Sequence, residues 1–266
     1  MDQETRNHRR RFGQNFLIDE EVIRSILSDF PTQPGWVIEI GPGGGALTKE
    51  LRQRATQLTL IEMDPIAAEK LSERWSEKKP TIRNEDASKT PITDLLQKHS
   101  LKPWVIGNLP YNMAGPILRH WVPHLKNFLG LQIMVQLEVA KRICAQPGSS
   151  DYGYLSSWIQ NWATPQLLRK VSPDAFRPRP NVQSATLELK ARTPVLTDPG
   201  FILFLQQCFS QKRKMLINNL KMLYPKEALH ETLATFEFPA SCRAEELGVE
   251  KLAQIYTALK SNRENA

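Results

Sequence analysis

The stretch Val37–Thr48 reads VIEIGPGGGALT. An apolar run ends at Glu39-Ile40, five turn-forming residues follow from Gly41 to Gly45, and helix-forming residues begin at about Ala46. Glycine allows backbone dihedrals closed to other residues and lets a ligand approach the chain closely. A helix that starts behind such a turn adds inward-pointing N–H groups. Gly41, Gly43 and Gly45 fall as GxGxG, not as the GxGxxG of dinucleotide sites, and no GK[ST] follows as in a P-loop. A nucleoside ligand without a pyrophosphate fits the shorter motif. Taken alone, the motif fits equally a tight turn with no ligand.

Outward from this unit, short apolar runs alternate with helical stretches. Trp36 to Ile40, Leu58 to Glu62, Trp104 to Ile106 and Leu131 to Val135 read as buried strands, with Thr81 to Asn84 a weaker one. Asp19 to Phe30, Ala46 to Arg54, Pro65 to Lys78 and Pro116 to Leu125 read as helices. Strand–helix alternation predicts an α/β fold with a doubly wound, mostly parallel sheet. Leu167 to Val171 and Ala185 to Leu189 are a late pair of strands that closes it. Arg192 to Gly200, with its prolines and glycine, reads as a linker. Helical periodicity follows at Phe201 to Phe209, Met215 to Leu223, Lys226 to Ala234 and Val249 to Leu259. The expected organisation is a main domain over 1–192, with residues 1–10 a mobile arm, and a small helical domain over 193–266.

The chain has 266 residues, 41% of them hydrophobic, and a formal net charge of +7. That charge fits a polyanionic partner, as well as a protein that is merely basic. Cys144, Cys208 and Cys242 are scattered and lack CxxC spacing, which argues against a disulfide framework or a cysteine zinc site. The polar N-terminus carries no signal-type segment, and no run approaches the ~18 apolar residues that span a bilayer. The reading is a cytoplasmic protein without membrane association.

The strand ends carry the chemistry. Glu62, in LTLIEMD, follows Gly45 at close to the ~20-residue offset of a ribose-binding acid. Its carboxylate can accept from both ribose hydroxyls; the alternative is an acid that merely favours a helix N-terminus. Asp86, after the third strand, is placed to accept from an adenine amino group. After the fourth strand comes GNLPYN, Gly107 to Asn112. Adenine's amino nitrogen is a poor nucleophile because its lone pair is delocalised into the ring. The Asn108 side-chain oxygen and the Leu109 carbonyl can each accept one amino hydrogen. Holding both draws the nitrogen toward tetrahedral geometry. Pro110 keeps Leu109 extended, and Tyr111 offers a stacking face for a flipped base. Phe176, in DAFRPRPNVQSA, is either the opposite face of that slot or the anchor of a Pro-rich loop. His120 and His124 lack the companions of a metal site, so no metal is expected. Basic clusters at Arg9, Arg10 and Arg11, at Arg169 with Lys170, at Arg177 with Arg179, and at Lys212, Arg213 and Lys214 suit phosphate contacts.

Together these motifs resemble the ribosomal RNA adenine dimethyltransferase family, specifically its small-subunit branch, from about Arg9 to Leu259. RRRFGQNFL is similar to the family's N-terminal cofactor motif. QLEVAKRI, DYGYLS, FRPRPNVQSA, QKRKMLINNL and RAEELGVEKLAQIYTAL follow in family order. The resemblance implies a Rossmann-like methyltransferase that uses S-adenosyl-L-methionine, with Gln14, Asn15 and Leu17 joining Gly41, Gly43, Gly45, Glu62, Asp86 and Asn108 at the cofactor. It implies dimethylation of two adjacent adenosines near the 3′ end of small-subunit rRNA, a role in ribosome biogenesis, the small ribosomal subunit as partner, and a monomer. Departures stand at Gly44, where a larger apolar residue is usual, at Gly115, and at Asn84-Glu85, where Gly is common before the Asp.

Two other readings compete. A large-subunit rRNA adenine methyltransferase of the antibiotic-resistance type would share the fold; Leu109 and QKRKMLINNL favour the small-subunit branch. A catalytically silent assembly factor would have no need of intact Glu62, Asp86 and Asn108 to Tyr111. A DNA adenine methyltransferase would more often carry Asp/Asn-Pro-Pro-Tyr.

Overall fold

The computed structural model describes residues 15–75, 77–97, 99–193 and 196–264. In chain order the first elements are β1 (Phe16–Leu17), α1 (Glu20–Ser28), β2 (Trp36–Ile40), α2 (Ala46–Arg54), β3 (Gln57–Glu62) and α3 (Pro65–Arg74). Then come β4 (Thr81–Asn84), α4 (Ile92–Gln97), β5 (Trp104–Asn108), α5 (Ala114–Trp121), β6 (Gly130–Gln136), α6 (Leu137–Cys144) and α7 (Tyr154–Trp162). The chain continues with β7 (Ala163–Val171), β8 (Phe176–Arg177), β9 (Ser184–Ala191), α8 (Pro199–Cys208), α9 (Leu216–Leu220), α10 (Lys226–Thr235) and α11 (Val249–Glu264).

Helix starts follow local chemistry. Asp19 caps α1, accepting from the N–H groups of Glu21 at 2.9 Å and Val22 at 3.0 Å, a contribution of ~1 kcal/mol for such a cap. Asp64 caps α3 through the Ile66 N–H, with Pro65 in the first turn, where a missing N–H costs nothing. Two helices end earlier than their periodicity predicts. Helix α3 stops at Arg74, short of Lys78, because Trp75 turns extended. Helix α5 stops at Trp121, and Val122–Asn127 continues as a 3-10 turn with Pro123, which cannot donate to the preceding turn, near its start.

The sheet has seven strands in the order β4-β3-β2-β5-β6-β9-β7. Strands β2, β3, β4, β5 and β6 pair in parallel, while β9 runs antiparallel to β6. Every residue of β2 is buried, as expected for a central strand covered on both faces. Trp36, fully buried, donates its indole N–H to the Thr59 hydroxyl at 3.1 Å, so its polar atom is satisfied in the core. The chain steps outward from β2 to β3 and β4, then returns to place β5 on the other flank of β2. That reversal opens a crevice at the carboxyl ends of β2 and β5, where open α/β sheets bind ligands. The short strands β1 and β8 form a separate ribbon, in which Leu17 faces Phe176.

By packing, one unit comprises the chain to Ala140 plus Pro165–Ala191, and a second comprises Lys141–Thr164 plus Arg192–Ala266. The second unit is helical around a core that includes Phe201, Phe204, Leu220, Leu233, Leu252 and Ile255. The expected cut at 192/193 therefore misassigns Lys141–Thr164. Helix α7 packs on α8 and α11, and the Asn161 side-chain amide donates to the Leu196 carbonyl at 2.8 Å. Its burial comes from residues that lie far ahead in sequence. Among the described residues, no helix is long and apolar enough to cross a membrane.

Candidate active site

The crevice between β2 and β5 holds a cavity of about 210 Å³ in the first unit. Its wall includes the glycine turn, Glu39, Glu62, and Asn108 to Tyr111, and the segment Asn15 to Ile18 lies across it. Gly43 adopts φ +52°, and a Cβ there would stand 3.0 Å from the Phe16 ring, so a side chain would meet both strain and a clash. Gly44, which departs from the family pattern, also faces the Phe16 ring, and its carbonyl accepts from Arg74 at 2.6 Å.

Two buried carboxylates meet this cavity. Glu62 accepts from the Gly43 N–H through one oxygen and from the Asp64 N–H through the other, each at 2.9 Å. Burial raises its pKa, and the N–H groups of Asp64 and Gly43 oppose the rise. Each oxygen keeps a lone pair for a further donor. Glu39 accepts from the Thr48 hydroxyl at 2.7 Å. Burial pushes its carboxyl up to about 8, with the Thr48 hydrogen bond opposing and the Glu62 charge adding. A cation entering this cavity would meet carboxyl groups that the fold has desolvated in advance.

On the other wall, Asn108 donates its side-chain N–H to the Asn15 carbonyl at 3.1 Å. That bond orients the amide, and Asn108 Oδ1 has no partner among the described residues. The Leu109 N–H donates to the Met134 carbonyl at 3.1 Å, which fixes the backbone, while the Leu109 carbonyl is likewise unpaired among the described residues. Both residues line the cavity, and each has one acceptor without a partner among the described residues. The Tyr111 hydroxyl lies 2.7 Å from the Ser184 hydroxyl. Burial raises the Tyr111 pKa, with the Ser184 hydrogen bond opposing.

The structure brings Asn15, Leu17, Gly41, Gly43, Glu62, Asn108, Leu109, Pro110 and Tyr111 to one cavity. Gly45, at φ +77°, does not line it; Leu71, Arg74 and Trp75 pack where its Cβ would stand. Asp86 is also off the wall. Its Oδ1 accepts from the backbone N–H and the hydroxyl of Ser88, at 2.8 and 2.7 Å, because the aspartate closes the turn that follows β4. Phe176 is fully buried opposite Leu17 and is not on the cavity wall; on the β1–β8 ribbon its ring joins a core with Leu17, Ile26 and Met134. Gln14 and Arg9 to Arg11 lie outside the described residues. Arg177 donates to the Phe176 carbonyl at 2.9 Å. Arg169 is engaged by Asp29, and Arg179 forms an exposed ion pair with Asp174. Lys212 donates to the Ser150 carbonyl, while Arg213 and Lys214 are exposed.

Sequence reading missed Phe16, Glu39 and Ser184. Glu39 left a signal: one acid inside an otherwise apolar strand. Phe16 and Ser184 lie inside the quoted stretches RRRFGQNFL and FRPRPNVQSA, but each acts on a residue remote in sequence, which pattern alone does not reveal.

Comparison with known proteins shows the family. The family described as "Ribosomal RNA adenine dimethylase" matches residues 5–261. The chain is 39% identical over 260 residues to "Ribosomal RNA small subunit methyltransferase A" of Acidobacterium capsulatum, covering 95% of this chain and 92% of that protein. The protein of the same name from Chlamydia trachomatis serovar L2 is 36% identical over 255 residues, covering 93% and 91%. Among solved structures, a dimethyladenosine transferase from Plasmodium falciparum shares the fold, with a TM-score of 0.77 and 21% identity over 94% of this chain and 98% of that one. The 23S rRNA methyltransferase ErmE gives a TM-score of 0.68 and 25% identity over 92% and 100%. The architecture is that of a Rossmann-like methyltransferase.

Proposed function

Because the chain belongs to the ribosomal RNA adenine dimethylase family, we propose that it transfers methyl groups from S-adenosyl-L-methionine to the exocyclic amino groups of two adjacent adenosines near the 3′ end of small-subunit rRNA. Each adenosine receives two, and the product serves ribosome biogenesis. The observation that carries this reading is the pair of acceptors left unpaired among the described residues, Asn108 Oδ1 and the Leu109 carbonyl, beside Tyr111 on the cavity wall. The names of the curated relatives favour the small subunit over the large one.

The residues present fit the cofactor. Side chains on Gly41 and Gly43 would be strained at their positive φ, and the spare lone pairs of Glu62 suit two ribose hydroxyls. The Asp86 carboxylate is assigned to the adenine amino group of the cofactor, and Gln14, Asn15 and Leu17 to the segment that covers it. The bound cofactor supplies a methyl group on a sulfonium centre, whose departure needs no acid. The protein's part is then alignment, exclusion of water and preparation of the nucleophile. Asn108 and Leu109 hold the two amino hydrogens, so the nitrogen lone pair turns out of conjugation. Tyr111 stacks on the extruded base, and Phe176 is assigned the other face once the base enters. No base is required before transfer, because the methylated ammonium product is itself acidic.

We assign the protein to the cytoplasm, as a monomer whose partner is the small ribosomal subunit. Arg9, Arg10, Arg11, Arg177, Arg179, Lys212, Arg213 and Lys214 are the proposed phosphate contacts. The test is incubation of the protein with labelled S-adenosyl-L-methionine and unmethylated small subunits, followed by mapping of the modified nucleotides. Label at two neighbouring adenosines of small-subunit rRNA supports the reading. Label confined to large-subunit rRNA, or none despite cofactor binding, overturns it.

A further inference from the structure

A second concave site lies in the same unit, at the end of the sheet where the strands begin. Its volume is about 500 Å³, and its wall includes Gln57, the first residue of β3, and Thr81, the first of β4. The candidate active site lies at the other end of these strands, roughly 20 Å away by the ~3.3 Å rise per strand residue. Four cations line this second site: Arg52 and Arg54 from the last turn of α2, and Lys78 and Lys79 from the loop before β4. No carboxylate is on the wall among the described residues.

The two arginines are held in place, and none of the four charges is compensated by an ion pair among the described residues. Arg52 donates to the Glu77 carbonyl at 2.6 Å and stacks 5.3 Å from the centre of the Trp75 ring. Arg54 donates to the Leu27 carbonyl at 3.0 Å. These are bonds to neutral groups, and none of the four cations has an ion-pair partner among the described residues. Arg52 Nε is buried with no hydrogen-bond partner among the described residues, an unusual cost for a native protein. The His99 ring stacks on Trp36 at 3.8 Å, and its Nδ1 is engaged by the Gln57 side chain at 2.9 Å, so Nε2 is the remaining polar atom of the ring. Lys78 holds φ +45°, a strained value for a side-chain-bearing residue, at the rim of this site. A helix N-terminus contributes nothing here, so the attraction for an anion rests on the side chains alone.

We propose that this groove binds the phosphodiester backbone of rRNA, a second RNA contact on the end of the sheet opposite the active site. The inference rests on the rRNA substrate proposed above, since a ribosomal subunit presents phosphates over a surface large enough to reach beyond the active site. Contacts of this kind add affinity and register without reading sequence. Lys78 and Lys79 are exposed and play no part in the active site, so they can be altered without disturbing it.

The experiment is co-sedimentation of the full chain with unmethylated small subunits over a range of salt concentrations. Three proteins are compared: the unaltered chain, Lys78→Gln with Lys79→Gln, and a charge-matched control, Lys70→Gln with Lys221→Gln. The groove variant should bind about tenfold more weakly at 0.1 M salt, and its log–log salt slope should be shallower by about 2. The control should follow the unaltered chain, and affinity for S-adenosyl-L-methionine should be the same in all three. An unchanged affinity and slope in the groove variant overturns the inference, and so does an equal loss in the control. Titration with inorganic phosphate separates a small-anion site from an RNA site. Phosphate binding that the groove variant loses, with subunit affinity intact, overturns the RNA assignment. If the unaltered chain fails to methylate subunits, the proposed function falls instead.

Discussion

Replacing Asn108 by alanine removes one of two acceptors from the amino group and also one bond that holds the N-terminal segment. The two effects differ in size and in what they report. The Asn108 Nδ2 bond to the Asn15 carbonyl is 3.1 Å long and half-buried, so its loss costs about 0.5–1.5 kcal/mol of local stability. The larger effect is on the reaction. Asn108 Oδ1 is oriented before substrate arrives, and its acceptor strength grows in importance as the nitrogen develops positive charge. Loss of one such preorganised group costs ~2–4 kcal/mol of transition-state stabilisation, a rate loss of roughly 30- to 1,000-fold. The Leu109 carbonyl remains, held by the Leu109 N–H bond to Met134, so activity should fall without vanishing. Asn108→Asp keeps an acceptor but turns the donor toward Asn15 into a second acceptor facing a carbonyl, and should fare little better. Single-turnover methylation with saturating cofactor and subunits measures the step directly, and calorimetry measures cofactor affinity beside it. The rate should drop far more than the affinity. A near-unaltered rate for Asn108→Ala would refute the polarisation of the amine and leave Asn108 a turn residue that anchors Asn15.

Glu62→Ala removes the carboxylate that joins the glycine turn to the end of β3, and calorimetry should show markedly weaker S-adenosyl-L-methionine binding with the fold retained; unchanged affinity would take Glu62 out of the site. Ser184→Ala frees the Tyr111 hydroxyl, so the KM for subunits should rise while cofactor affinity stays constant, and a lower cofactor affinity with unchanged KM would show that the pair serves only the core. Glu39 gives the empty protein a pH dependence. Its carboxyl binds a proton more tightly when folded, at about 8 against 4.5 unfolded, so its stabilising share is complete at low pH and is lost as pH rises through that window. The loss is at most ~1.4 kcal/mol per pH unit. Thermal unfolding at pH 5, 6.5 and 8 should therefore show a falling midpoint that Glu39→Gln flattens, and identical slopes in the two proteins would mean that Glu39 is ionised throughout.

Local sequence determined whatever depends on neighbours along the chain. The glycine turn of Gly41 to Gly45, the apolar strand before it and the helix behind it are fixed by dihedral freedom and periodicity, and β2, α2 and β4 begin and end where the sequence places them. Glu62 and the Asn108 to Tyr111 stretch were legible because a strand end and a proline each leave a mark within a few residues. Helix α4, one turn and a half after Pro91, was too short for its periodicity to register. Other features arise from approaches through space. Phe16 on Gly43, Asn15 on Asn108, and Ser184 on Tyr111 join segments that periodicity treats as independent. Burial of Phe176 depends on the β1–β8 pairing, and the place of α7 depends on helices that come after the sheet is finished. A residue's type sets what it can bond, and only the folded chain sets what stands opposite it. The sequence alone therefore determined the chemistry at the strand ends, and the tertiary structure decided which of those groups share a cavity and which are spent on holding it.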